Sequence, residues 1–102
     1  MSDEVIIHET AVVHPKADLG PGVQIGPFSI IGPDVHIGKG TTIESHSVID
    51  QWTTIGADCR VSAHVSLGGK PQDHKFSGER SFLTIGDRNI IREYVSILAM
   101  PG

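Results

Sequence analysis

A branched aliphatic residue stands at every sixth position of this chain from Ile7 to Leu67: Ile7, Val13, Leu19, Ile25, Ile31, Ile37, Ile43, Ile49, Ile55, Val61 and Leu67. The same frame resumes at Ile85, Ile91 and Ile97, with Asp73 and Glu79 in the two slots between. Two companion columns run beside it. The residue after the aliphatic is Gly at positions 20, 26, 32, 38, 56, 68 and 86. The fourth residue after it is small or β-branched, as in Ala11, Ala17, Ser29, Thr41, Ser47, Thr53, Cys59 and Val65. A period of six matches neither the 3.6 of a helix nor the alternation of a long strand. It predicts a short strand and a bend, repeated. Three such sides close a triangular coil of about eighteen residues, and successive coils pair at roughly 4.8 Å. On this reading the aliphatics stack as an interior core, the glycines supply positive φ at the bends, and the small residues occupy corners with little room. One repeat alone buries almost nothing, so the array has to be long.

The two carboxylates that break the beat cannot occupy interior slots, because an unpaired buried carboxylate costs several kcal/mol or neutralises. Residues 70–83 are therefore expected to be a loop extruded from a corner, with Ile85 taking the side that follows Leu67. The loop carries Lys70, Gln72, Asp73, His74, Lys75, Glu79 and Arg80, donors and acceptors suited to sugar and phosphate.

Composition narrows the class. The 102 residues suit one small domain, and a net charge of −4 argues against nucleic acid as a partner. Twelve glycines against five aromatics fit many turns around a thin core. The lone Cys59 forms no internal disulfide, the start MSDEV lacks the pattern of a secretory signal, and no apolar run reaches membrane-spanning length. The expectation is a cytoplasmic protein without an integral membrane segment.

The [Ile/Leu/Val]-Gly-x-x-[small]-x pattern over residues 7–97 resembles that of the hexapeptide-repeat acyltransferase superfamily. That resemblance implies an all-β fold, a left-handed parallel β-helix of hexapeptide repeats forming a single domain over residues 1–102, with one extruded loop. The handedness comes from the resemblance and not from the period. The loop wording PQDHKFSGE, followed by IGDRNIIREYVSI, is similar to the signature of one member family. This is the acyl-carrier-protein–UDP-N-acetylglucosamine O-acyltransferase family of lipid A biosynthesis. Its usual form reads Pro-Gln-Asp-Leu-Lys-[Tyr/Phe], then Gly-Glu, then Ile-Gly-Asp-x-Asn-x-Ile-Arg-Glu; His74 replaces the customary Leu here. The resemblance implies Gln72, Asp73 and Lys75 as substrate-binding residues. Asp73 can accept hydrogen bonds from sugar hydroxyls, and Lys75 can answer a pyrophosphate. It also implies UDP-N-acetylglucosamine as acceptor and a 3-hydroxyacyl acyl-carrier protein as donor, with no cofactor.

In that family a His acts as general base on the sugar 3-hydroxyl, from a coil beyond the Ile-Arg-Glu segment. The family continues past Ser96-Ile97 with His-Arg-Gly-Thr or close to it, where this sequence reads Leu98-Ala99-Met100-Pro101-Gly102. The resemblance thus implies the N-terminal portion of such an enzyme, inactive as this short chain, with no catalytic residue to name. Two alternatives stand beside it: another hexapeptide acyl- or acetyltransferase using coenzyme A, or a noncatalytic β-helical remnant or assembly module.

His8, His14, His36, His46, His64 and His74 lack the five-residue pair of the zinc-binding hexapeptide proteins, so no metal site is expected. His46 and His64 should instead stack on one outer face. With eighteen residues per coil, Thr10, Phe28, His46, His64 and Tyr94 share a column, and Val12, Ile30, Val48, Ser66 and Ser96 share another on the same side. The other two sides carry Lys16, Asp18, Gln24, Asp34, Asp58, Arg60 and Arg88, with Trp52 the main exception. The apolar, aromatic side bearing Phe28, Ile30, His46, Val48, His64 and Tyr94 is the expected seam of a homotrimer.

Overall fold

Each aliphatic of the repeat ends a short strand, and the strands form three flat sides of a prism. A computed structural model describes residues 3–69, 81–98 and 100–101. The first side stacks Ile6–Ile7, Gln24–Ile25, Thr42–Ile43, Arg60–Val61 and Ile90–Ile91 in parallel. The second stacks Val12–Val13, Ile30–Ile31, Val48–Ile49, Ser66–Leu67 and Ser96–Ile97. The third stacks Asp18–Leu19, His36–Ile37, Thr53–Ile55 and Ser81–Ile85, and Met100–Pro101 returns antiparallel against Ser81 and Phe82. Leu67 and Ile85 accordingly lie on consecutive sides and both pack on the core, as the period requires.

Cα partners such as Ile31↔Ile49 stand eighteen positions apart, whereas Ile55↔Ile85, Val61↔Ile91 and Leu67↔Ile97 stand thirty apart. Of the loop expected over residues 70–83, the structure describes the last three. Ser81 to Leu83 are strand, and Leu83 already pairs with Thr53, so pairing resumes before Thr84. The rest of the loop, including Asp73 and Glu79, lies outside the described residues.

Ile25, Ile31, Ile37, Ile43, Ile49, Ile55, Val61 and Leu67 are almost wholly buried and form the axial core with the corner residues Val23, Val35, Cys59 and Val65. Backbone bonds run from each coil to the next, as in Ile30 N to Ser47 O at 2.9 Å and Val48 N to Val65 O at 2.8 Å. The paired coils therefore leave few polar backbone groups inside.

The glycine column does something other than expected. Within the column Gly68 has positive φ, 86°, as expected, but Gly20, Gly26, Gly32, Gly38, Gly56 and Gly86 do not. The left-handed positions come two residues later in the repeat: Gly22, Phe28, Asp34, Gly40, His46, Trp52, Asp58, His64, Arg88 and Tyr94. What excludes a side chain in most of the glycine column is the neighbouring coil. A Cβ on Gly26 would sit 2.9 Å from the backbone carbon of Glu44, and one on Gly38 2.6 Å from that of Gly56.

The small corner residues also do more than fill space. Ser29 Oγ donates to Glu44 O (2.6 Å) and accepts from Ser47 N (3.1 Å). Ser47 Oγ repeats this one coil further, donating to Ser62 O (2.8 Å) and accepting from Val65 N (3.1 Å). Thr41 Oγ1 does the same at another corner, donating to Gly56 O (2.8 Å) and accepting from Cys59 N (3.1 Å). Each hydroxyl thus ties its corner to the next coil and satisfies a backbone N–H and a C=O where the ladder turns. Ser47→Ala strands both groups in a buried place, and we expect it to cost about 1–3 kcal/mol in a denaturant titration. Cys59→Ser, which keeps a donor toward Gly86 O (3.0 Å from Sγ), should cost less.

Candidate functional site

The three corners of the prism differ in chemistry. Gly22, Gly40, Asp58 and Arg88 line the corner between the third and first sides. The corner between the first and second sides is aromatic. There the ring centroids of Phe28 and His46 are 5.1 Å apart, those of His46 and His64 5.0 Å, and those of His64 and Tyr94 5.3 Å. The two lower pairs are stacked, with interplanar angles of 17° and 6°. Thr10 heads the column, its hydroxyl accepting from Phe28 N at 3.0 Å. The stack follows from the register: left-handed corner residues eighteen or thirty positions apart fall above one another and project their rings together.

Beside this column the second side turns Val12, Ile30 and Val48 outward, all exposed. The expected apolar side therefore exists as one continuous surface. The polar character of the other sides is less complete than expected. Besides Trp52, the exposed residues Ile6 and Ile90 stand at the two ends of the first side, and Phe82 is exposed on the third. Ile90 was missed because the expected polar partition rested on its middle rows, Gln24 and Arg60.

Between the first side and the aromatic corner lies a charged hollow of about 310 Å³, lined by Glu44, Arg60, Ser62, Ile90, Arg92 and Glu93. Arg60 Nε donates to Glu44 Oε2 at 2.9 Å, and this bond stabilises the guanidinium's charged form further. Glu93 is held below the usual carboxylate range by hydrogen bonds from its own backbone N–H and from the Ser62 hydroxyl, with Arg92 and Arg60 assisting. Its charges are paired locally, which suits a solvated structural cluster better than a ligand site.

The corner between the second and third sides holds a larger groove, of about 590 Å³, lined by Asp34, His36, Gln51, Trp52, Thr54 and Phe82. Trp52 and Phe82 meet at 6.1 Å between ring centroids and 42° between planes. Gln51 Nε2 donates to Asp34 Oδ2 at 3.2 Å, and His36 Nδ1 lies 3.3 Å from Asp18 Oδ2. Sequence reasoning noticed Trp52 but left Phe82 in the loop. The thirty-residue step from Ile55 to Ile85 is the signal that would have placed Phe82 over Trp52.

Gln72, Asp73 and Lys75, the residues implied as substrate-binding, lie outside the described residues, as does His74. The other five histidines are dispersed: His8 and His14 accept from nearby turn amides through Nδ1, His36 meets Asp18, and His46 and His64 stand in the aromatic column.

A prism of hexapeptide coils with one aliphatic per side defines a transferase-type repeat fold. The chain matches the bacterial transferase hexapeptide (six repeats) family over residues 16–51 and 34–69, and it belongs to that family. Within it, the chain is similar to acyl-[acyl-carrier-protein]–UDP-N-acetylglucosamine O-acyltransferases. It is 50% identical over 58 residues to that of Syntrophobacter fumaroxidans, a match covering 57% of this chain and 22% of the relative. Among solved structures, LpxA from Acinetobacter baumannii superposes with a TM-score of 0.88 at 44% identity, covering 91% of this chain and 36% of that one. The Francisella novicida UDP-N-acetylglucosamine acyltransferase superposes with a TM-score of 0.89 at 40% identity, covering 92% and 34%. The chain thus spans about a fifth to a third of the length of these relatives, and its coil is the left-handed parallel β-helix expected from the resemblance.

Proposed function

We propose that this chain supplies N-terminal β-helical coils of an acyltransferase that moves a 3-hydroxyacyl group from acyl-carrier protein to the 3-hydroxyl of UDP-N-acetylglucosamine. The observation that carries this reading is the 50% identity over 58 residues to an acyl-[acyl-carrier-protein]–UDP-N-acetylglucosamine O-acyltransferase. In this reading Gln72, Asp73 and Lys75 contribute to the nucleotide-sugar site. A flat β-helix side offers little with which to surround a small polar ligand, so polar groups on a departure from the repeat suit the task. Asp73 accepts from sugar hydroxyls, and Lys75 supplies a mobile positive charge to the pyrophosphate.

The side bearing Phe28, Ile30, His46, Val48, His64 and Tyr94 is then the seam of a homotrimer. Its continuous apolar and aromatic surface supports this, because such a surface is costly to leave in water. The general base is assigned to none of these 102 residues.

The test is a chimaera joining this chain to the remaining coils of the Acinetobacter baumannii relative. It should acylate UDP-N-acetylglucosamine from a 3-hydroxyacyl carrier protein. A folded chimaera that transfers only from coenzyme A thioesters, or not at all, would sink the reading. In the same chimaera Asp73→Ala and Lys75→Ala should each weaken nucleotide-sugar binding by about 1–3 kcal/mol, the scale of a charge-assisted hydrogen bond. Lys75→Ala should spare binding of uncharged N-acetylglucosamine, because its partner is phosphate. Equal losses for both ligands in calorimetry would reassign Lys75 to loop packing.

A further inference from the structure

We propose that the stacked pair His46 and His64 makes assembly through the aromatic corner sensitive to pH: copies associate while the rings are neutral and separate as both take up protons. The inference rests on the trimer seam proposed above and concerns how that seam is regulated.

The geometry of the pair sets the effect. The ring centroids are 5.0 Å apart and the planes 17° from parallel, so the two imidazoles face one another across successive coils. Phe28, at 5.1 Å, adjoins the other face of His46, and Tyr94, at 5.3 Å, that of His64. Neutral rings stack favourably in such a column. One proton is tolerated, because the imidazolium then lies between two ring faces. A second is not, because it sets two like charges 5.0 Å apart. In open water that repulsion weakens uptake of the second proton only about fourfold. At the lower effective dielectric of a covered surface it does so by roughly a hundredfold or more.

No neighbouring charge relieves the pair. On the first side, Glu44 is engaged by Arg60 Nε at 2.9 Å, and Glu93 by the Ser62 hydroxyl, with Arg92 at 3.7 Å. His8 and Glu9 belong to the first coil, two coils away from His46. The outward row of the second side, Val12, Ile30, Val48, Ser66 and Ser96, carries no acid or base. His14 and Asp50 follow their strands, toward the opposite corner. Among the described residues neither imidazole makes an ion pair or a side-chain hydrogen bond.

Association removes water from this corner, and a homotrimer brings two such rings from each copy. The assembled state therefore holds fewer protons than the separate chains. By linkage, its stability is fully present above the ordinary histidine range and falls as the pH drops below about 6.5.

Sedimentation of the 102-residue chain and of the chimaera at about pH 8 and about pH 5.5 provides the test. The trimer dissociation constant should rise about thirtyfold at the lower pH, roughly threefold per subunit for one excluded proton each. The double variant His46→Phe, His64→Phe should abolish the rise. Phenylalanine keeps the stack, and the column already holds it in the same left-handed conformation at Phe28. Circular dichroism identifies any variant that has lost its fold, and the two single variants serve as checks on the double. Each single variant should remove most of the rise, because a lone imidazolium between ring faces is tolerated. Two half-sized effects would overturn the pair as the cause. A trimer equally stable at both pH values, or an undiminished acid effect in the folded double variant, overturns the inference and leaves the seam standing. A chain and a chimaera that are monomeric at both pH values sink the seam reading and this inference with it.

Discussion

Ile49→Asp should abolish cooperative folding, whereas Val48→Asp, one residue earlier on the same strand, should leave the fold intact. Ile49 is 0% exposed and Val48 is 37% exposed, because the strand turns successive side chains to opposite faces. Ile49 lies mid-stack, with Ile31 before it and Leu67 after it on the second side. A carboxylate there has no counter-charge and no route to water except by opening a coil. Even Ile49→Ala should cost about 2–5 kcal/mol, the range for truncating a buried aliphatic. In an array stabilised by neighbour contacts, that loss propagates to both adjoining coils. Val48→Asp should act only on association: its side chain lies on the proposed trimer seam, and three copies would bring three carboxylates to an apolar surface. Circular dichroism in denaturant and sedimentation of the chimaera separate the two outcomes. A cooperative transition for Ile49→Asp near that of the wild type would mean that the interior assignment is wrong. An unchanged trimer for folded Val48→Asp would remove the second side from the seam.

Gly38→Ala should destabilise the chain by about 3 kcal/mol or more, while Gly86→Ala, the same slot of the repeat, should be within about 0.5 kcal/mol of neutral. The difference is not one of backbone conformation, since neither residue has positive φ. A Cβ on Gly38 would lie 2.6 Å from Gly56 C and 2.7 Å from Ala57 N, backbone atoms of the next coil that are held in the ladder. Relieving that contact means prising two coils apart and stretching bonds such as Gly38 N to Ile55 O, now 2.8 Å. At Gly86 the nearest atom to such a Cβ is Asn89 Nδ2 at 3.6 Å, an ordinary contact. Equal destabilisation of the two variants by urea unfolding would show that the column is selected for conformation after all.

The period of six was enough to place the interior. A residue that recurs once per side must face either the axis or the solvent every time, so the aliphatics fixed inward positions at Ile25 through Leu67 without reference to contacts. The same periodicity put Phe28, His46, His64 and Tyr94 in one column. Their stacking follows from eighteen residues per coil, with a longer step across residues 70–80. Gln72, Asp73 and Lys75, proposed above for the nucleotide-sugar site, were suggested only by the likeness of the surrounding wording to a family, because polar residues outside the repeat carry no periodic signal.

What the sequence by itself determined, then, was which residues face the axis and which columns share a corner, because both depend only on position along a strict repeat. The tertiary structure alone decided how neighbouring coils touch. It put the left-handed backbone at Phe28, Trp52 and their equivalents, and it made Gly20, Gly26, Gly32, Gly38 and Gly56 close approaches to the backbone of the next coil. It also made Ser29, Ser47 and Thr41 hydrogen-bonded ties between coils, and brought Phe82 against Trp52. Each of these depends on atoms fifteen to thirty residues apart meeting within a few ångströms. Such contacts exist only once coil spacing and register are set, and a single turn of the repeat contains no record of them.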